Sequence, residues 1–519
     1  MFNKIITSKL LPFFIAVSVV ILTTGFLRLQ LFTGLPESDG GLYTFIAQYI
    51  YHALNNGQGL KYLSLQLYQM MTYWVYGLDV HQLIVLRLID GLVAIAASIV
   101  FFKVILKESG SLLFTAILMI PLLIVMNDIE VIAYGYMNSI WAAYLPLFTA
   151  LLVWQKSSKS DTFSFYLIGA LVSLGVLLRE PFLPFFLLAG IAIWIGYGWR
   201  VLLKYLIGSA ILGFSVLAVL LSFRGWDLLG LINSYLSLSL SQYNNLIWGM
   251  FINSGLKSLK ANWFICITAL ASIIYLIKLY VADKKSVLMN RAYFWLLMAL
   301  IPLIEPTFKV GFEYHFAQCL LGLAGLSAMG WRYIHSNESK QVNTSSLLIL
   351  GLMSLIVIVQ SVNQTIVKSI RIYGPSDAID WSISEVFRSP EMVQRSQYLT
   401  IAAKIYELSR ADSTLVVTNS LHALYVLTGL LPPVYALNDL NPLYSSLNSD
   451  KEKLIQVIKK HRPTIIVTPT INSIPKNDLD IQNIIDKTNL YNKVAVVPKN
   501  LAIDYGWRTA VIYRLKSFK

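Results

Sequence analysis

Charge is scarce in this chain of 519 residues: Asp, Glu, Lys and Arg make up 13% of it, against 56% hydrophobic residues. A soluble domain carries about 25% charged residues. The deficit excludes a soluble enzyme, a disordered chain and a protein that coats nucleic acid. Cysteine is nearly missing. Cys266 and Cys319 both lie inside apolar runs, so no disulfide framework is planned. No CxxC pair or His/Cys cluster offers a structural zinc site. P-loop, dinucleotide fingerprint and GxSxG elbow are absent, which removes the sequence case for ATP hydrolysis and Rossmann-type cofactor use. His422 and His461 have no partners at ligand spacing and read as structural.

Long apolar runs are plentiful. The mean hydropathy is +0.63. A spanning helix needs about 20 mostly apolar residues. Eleven segments approach that, near 10–32, 82–106, 111–127, 138–155, 163–179, 181–198, 201–222, 261–280, 290–304, 315–333 and 344–366. The break Arg179-Glu180-Pro181 is equally consistent with a kink in a re-entrant helix. Lys4 and Lys9 precede the first segment, whose run is too long for a signal peptide, so it reads as an uncleaved anchor.

Basic residues set the orientation. With the N-terminus inside, the inner loops hold Lys4, Lys9, Lys103, Lys107, Lys156, Lys159, Arg200, Lys204, Lys278, Lys284, Lys285, Arg291, Arg332 and Lys340. The longer opposite loops hold Lys61, Arg179, Arg224, Lys257, Lys260 and Lys309. This asymmetry is a positive-inside signal. The net charge of +14 fits attraction to anionic headgroups. An odd number of spans then leaves everything after residue 366 outside. There the composition turns polar, and strand-like runs at 413–418, 463–468, 493–498 and 509–515 alternate with helical stretches at 420–430 and 450–461. The expected organisation is a helical membrane domain over 1–366 and a small external α/β domain over 367–519.

Candidate chemistry lies in the external loops. The first, 33–81, contains Glu37 and Asp39 before an amphipathic stretch, LYTFIAQYIYHALNN, and then a second, YLSLQLYQMMTYWVYGL. Such stretches lie in the membrane interface plane. Asp39 has two readings: a helix cap, or a carboxylate held where a lipid-borne substrate meets water. Asp128 and Glu130 lie in the loop NDIEVIAYGYMN, and Glu305, Lys309, Glu313, Tyr314 and His315 in the run EPTFKVGFEYHF, a mixture suited to sugar and phosphate. Ionisable residues beside spans are functional candidates. Asp227 and the adjacent Arg179 and Glu180 complete the external set. Arg87 and Asp90 are accounted for by pairing along one helix.

The order of these features resembles the GT-C superfamily of membrane glycosyltransferases, in particular the group with protein O-mannosyltransferases and the aminoarabinose transferase of lipid A. LPESDGGLYTFIAQYIYHALNNGQGL is similar to that group's acidic first loop and interfacial helix. YLSLQLYQMMTYWVYGLDVHQLIVLRLIDGLVAIAASIVFF is similar to its second interfacial helix, YG turn and next span. GALVSLGVLLREPFLPF, FEYHFAQCLLGLAGLSA and TNSLHALYVLTGLLPPVYAL are similar to a small-residue span, a late span and the external tail.

The resemblance implies that Asp39 is the catalytic carboxylate, with Glu37 beside it. Gly40 stands where the family often has a second acid, and Leu42 where it has a basic residue. Arg179 matches a donor phosphate ligand, with Lys61 or Lys309 as stand-ins. Asn138 is nearest the family's second-loop carboxylate, and Glu313 occupies the position of its late Arg. Tyr43, Tyr62, Tyr68, Asp128, Glu130, Asn138, Glu313, Tyr314 and His315 would line the substrate, while Tyr62, Tyr68, Tyr73 and Trp74 equally suit an aromatic belt. The implied reaction moves a sugar from a polyprenyl-phosphate donor to an acceptor hydroxyl, usually with inversion, on a glycan, glycolipid or protein. O-antigen and lipid A are the expected kinds of product. It requires no nucleotide, metal or nucleic acid. The expected location is a cell inner membrane with the C-terminal domain periplasmic. A glycan polymerase or ligase would instead show one large external loop and no α/β tail. A transporter of lipid-linked glycans would show repeats or paired broken helices.

Overall fold

The computed structural model describes residues 2–29, 38–56, 67–79, 82–127, 140–157, 161–223, 226–230, 232, 248–282, 287–303, 313–337, 345–360, 400–417, 423–433, 458–470, 482–497 and 509–516. Within them, helices stand at each of the eleven apolar stretches. In chain order the first nine helices are α1 Phe2–Leu29, α2 Ser38–Asn55, α3 Leu67–Thr72, α4 Gln82–Ser109, α5 Leu112–Met126, α6 Ile140–Trp154, α7 Thr162–Leu178, α8 Leu183–Tyr197 and α9 Trp199–Phe223. Further helices cover Trp248–Ala261, Trp263–Ala282, Val287–Leu300, Glu313–Asn337 and 345–360.

Local chemistry sets the boundaries. Ser111 caps α5 by accepting from the Phe114 N–H, and Asp161 caps α7 by accepting from Ser164 N–H at 3.2 Å. At Arg179-Glu180-Pro181 the chain leaves α7, makes one 3-10 turn over Glu180–Phe182 and enters α8. Gly198, with φ 88°, then separates α8 from α9 in a conformation that only glycine adopts freely.

By length and apolarity, three described helices are able to cross a membrane: Gln82–Ser109, Glu180–Tyr197 and Trp199–Phe223. Leu112–Met126 and Ile140–Trp154 are shorter, roughly 22 Å each, and carry Pro121 and Pro146. The outward surface is apolar. Ile207, Ile211 and Phe214 on α9 are exposed at spacings of four and three residues, a stripe that water would not tolerate at this extent and that suits lipid. Inside, small residues bring backbones together. A side chain on Gly208 would strike the Tyr166 carbonyl oxygen at 2.0 Å, and one on Gly169 the Tyr205 carbonyl oxygen at 2.0 Å. The Ser209 hydroxyl donates to the Gly169 carbonyl at 2.9 Å across the same crossing of α7 and α9.

The C-terminal part contains a four-stranded mixed sheet in the order β1-β2-β4-β3, formed by Leu415–Val417, Ile465–Thr470, Thr509–Leu515 and Tyr491–Val497 respectively. β1 runs parallel to β2, and the other pairings are antiparallel. Alternate residues serve two cores. Val416, Ile466, Val511 and Tyr513 pack on one face with Ile458 and Ile485. Leu415, Val417, Ile465, Val467 and Ile512 pack on the other with the helix Ala423–Thr428 and with α2.

That second core joins the sheet to the bundle. Phe45, Ile46, Tyr49, Ile50 and Ala53 of α2 are all buried in it, and the Phe45 ring stacks on Tyr425 with centroids 4.3 Å apart. The apolar face expected to lie in the membrane interface is thus covered by protein. α2 is a sandwiched helix. The second stretch keeps an open edge: Met71, Trp74 and Leu78 are exposed, while Leu67, Tyr68 and Met70 are buried.

Candidate functional site

The ends of α1 and α5 meet the starts of α4 and α6, with α3 alongside. A polar cluster is buried there. Arg28, one residue before the end of α1, donates from Nη1 to Asp90 Oδ2 at 2.7 Å and from Nε to Asn127 Oδ1 at 2.9 Å. The Tyr68 hydroxyl donates to Asp90 Oδ1 at 3.4 Å. Burial first, and then the Asp90 charge, push the Tyr68 phenol well above its ordinary range, so it stays protonated. Asn127, which ends α5, is oriented by donating to the Leu123 carbonyl at 2.8 Å. The Arg28 guanidinium lies 5.7 Å from the centre of the Trp141 ring.

The side chains of the Arg28–Asp90 pair are 3% and 5% exposed, so neither charge could stand alone there. Two donors in the cluster, Arg28 Nη2 and Trp141 Nε1, are buried without a hydrogen-bond partner among the described residues. Buried donors in that state suit an acceptor brought by a ligand or by water. Arg87 is also buried on this stretch of α4.

Sequence reasoning paired Asp90 with Arg87 on its own helix. The carboxylate reaches across to Arg28, a residue that closes an apolar run. The available signal was a lone arginine in one span and an aspartate in another, each near the same end.

The candidate residues distribute as follows. Asp39 is the second residue of α2, inside its first turn rather than at the cap position. A carboxylate in a first turn is favoured by the helix dipole. Tyr43, half-buried on the same helix, packs against both the bundle core and the sheet core. Tyr68 belongs to the buried cluster. Tyr73 is half-buried and Trp74 exposed, and the Trp74 indole donates to the Met71 carbonyl at 2.8 Å. Arg179 caps the C-terminus of α7 and is half-buried. Glu313, Tyr314 and His315 open the helix Glu313–Asn337. Glu37, Lys61, Tyr62, Asp128, Glu130, Asn138 and Lys309 lie outside the described residues.

Arg28 lies in the last turn of α1, which the segment 30–37 separates in sequence from α2. α2 is held by the sheet core and by Tyr76, whose hydroxyl donates to the Thr44 carbonyl at 3.1 Å.

No protein-family model and no curated protein matches the chain. Among solved structures it is similar to the crystal structure of ArnT from Cupriavidus metallidurans bound to undecaprenyl phosphate. That match has a TM-score of 0.58 at 12% identity and covers 99% of each chain. The oligosaccharyltransferase of Archaeoglobus fulgidus, tethered with an acceptor peptide, matches with a TM-score of 0.48 at 12% identity, over 97% of this chain and 74% of that one. The full-length likeness shows that this chain shares the fold of that ArnT structure.

Proposed function

From the GT-C fold of this chain we infer a membrane glycosyltransferase that moves a sugar from a polyprenyl-phosphate donor to an acceptor hydroxyl. One observation carries the reading: the fold is shared, end to end, with a protein whose crystal structure holds undecaprenyl phosphate.

The chemistry follows from the residue types. A hydroxyl is a poor nucleophile, so a base must accept its proton as its oxygen bonds to the anomeric carbon. Asp39 is that base in this reading, with Glu37 its neighbour. The bond from the anomeric carbon to the phosphate oxygen breaks on the opposite face, so the configuration inverts. The leaving polyprenyl phosphate is already anionic and needs cationic donors rather than an acid. Arg179 supplies a guanidinium that grips two phosphate oxygens, with Lys61 and Lys309 in support. The Arg28–Asp90 pair acts as a positioning element, and the exposed edge of Met71, Trp74 and Leu78 offers a ledge at the membrane surface. The acceptor is a cell-surface glycan such as O-antigen or lipid A. The site faces outward, with the sheet domain beside it.

The test is reconstitution. The purified chain in liposomes, given a polyprenyl-phosphate sugar and an acceptor glycolipid, should release polyprenyl phosphate and yield an extended acceptor by mass spectrometry. Release without any acceptor product, or no release at all, would count against the reading.

A further inference from the structure

At the opposite end of the bundle, away from Asp39, lies a second built site. A cavity of about 280 Å³ opens among the ends of α4, α6 and α8 and the helix Val287–Leu300. Trp154, Tyr197, Phe294 and Trp295 give it aromatic walls. Its charged and amide groups are Glu108, Gln155 and Arg291, and the hydroxyl of Ser157, also in the lining, donates to the Val153 carbonyl at 2.8 Å.

Their arrangement is specific. The Glu108 carboxylate is buried and forms an ion pair with Arg291. Gln155 donates from Nε2 to Glu108 Oε1 at 2.6 Å and to the Val104 carbonyl at 3.1 Å. Lys107 donates to the Gln155 backbone carbonyl at 2.8 Å, fixing the end of α6. With its amide nitrogen committed, Gln155 presents its Oε1 oxygen, which is buried and accepts nothing among the described residues. A buried acceptor left empty is costly, so this oxygen needs a donor.

We propose that this cavity binds the phosphoethanolamine headgroup of a membrane lipid. A primary ammonium has N–H groups for both Gln155 Oε1 and the Glu108 carboxylate. The phosphate beside it meets the Arg291 guanidinium. A choline headgroup has no N–H to give Gln155, and a glycerol headgroup has no positive charge to give Glu108. The site sits where α4, α6 and α8 end, beside the N-terminal half of the helix Val287–Leu300. Trp194, Ile195 and Trp199 stand exposed next to the lining residue Tyr197, on a path that acyl chains would follow. This assignment is independent of the transfer chemistry at the other end.

Native mass spectrometry of the full chain, offered equal amounts of phosphatidylethanolamine, phosphatidylcholine and phosphatidylglycerol of one chain length, tests it. The expected result is a preference for the ethanolamine lipid of about tenfold, equivalent to roughly 1.4 kcal/mol. Glu108→Gln should reduce that preference to near unity. Because this change leaves Arg291 without its carboxylate, Gln155→Met serves as a second variant. It removes the acceptor, keeps the ion pair and should also abolish the preference. Equal retention of all three lipids by the wild type would overturn the proposal, since the cavity would then hold only water around a structural ion pair. A preference for the glycerol lipid that survives both variants would reduce the site to general attraction by surface lysines. Saturation by soluble phosphoethanolamine alone would show a small-molecule site and overturn the lipid assignment.

Discussion

Arg28 and Asp90 meet at 2.7 Å in the interior, joining α1 to α4 across 62 positions of sequence. Neither residue is needed by any local element, and both sit where a charge without a partner is expensive. Arg28→Met should therefore destabilise the protein by about 3–5 kcal/mol, because it takes a bonded cation away from the buried Asp90 carboxylate. The double variant Arg28→Met with Asp90→Leu should recover most of the loss. Thermal unfolding in detergent measures both. Additive losses in the double variant would show that the two charges do not act as a pair.

Asp39 allows a clean separation of roles. Asp39→Asn removes proton acceptance while keeping size and polarity. Transfer should fall by about 10²-fold or more. The lost first-turn charge should cost only about 0.3–1 kcal/mol. Glu37→Gln should have a smaller effect on rate. A near-normal rate in Asp39→Asn would move the search to Glu37, Asp128 and Glu130.

Arg179 is expected to act on the donor. Arg179→Ala should raise the donor KM and lower kcat. Arg179→Lys should recover part of the activity, since an ammonium keeps the charge but loses the two-point grip. Unchanged donor kinetics in the alanine variant would shift the role to Lys61 or Lys309.

The stacked rings of Phe45 and Tyr425 tie the sheet to α2. Phe45→Ala should cost about 3–5 kcal/mol, the usual range for emptying a buried aromatic site. It should also expose α2 to limited proteolysis. An unchanged melting temperature would mean that α2 does not depend on the sheet for its place.

Orientation is checked by reporter fusion. A fusion partner that is active only in the cytoplasm, placed after Lys519, should stay silent if the basic-residue asymmetry reads outward for the C-terminal part. A strong cytoplasmic signal would reverse the orientation and put Asp39 on the inner surface.

Much of the fold is written locally. A run such as LLFTAILMIPLLIVM states its helix by composition, and STLVVT or TAVIYRL states its strand by β-branched content and length. The small-residue span GALVSLGVLL announces close packing, which Gly169 realises against Tyr205. Long-range relations leave no such periodic trace. Arg28 looks like the basic end of an anchor until Asp90 and Asn127 are placed beside it. The amphipathic face of α2 is evident from Phe45, Tyr49 and Ile50, but a membrane surface and a β-sheet would ask for the same apolar residues. Sequence therefore announces that this face is covered without saying by what. Asp39 is singled out by its loop and its resemblance. The buried polar cluster leaves no such mark, because its members come from five separate helices.

The sandwiching of α2 also bears on the order of folding. The strands and the Tyr425 ring that cover its apolar face lie far along the sequence from Phe45. Contacts so distant along the chain form late, after the loops between them have closed. Until the sheet pairs, Phe45, Tyr49 and Ile50 keep an uncovered apolar face, so the sheet completes the surroundings of the helix that carries Asp39.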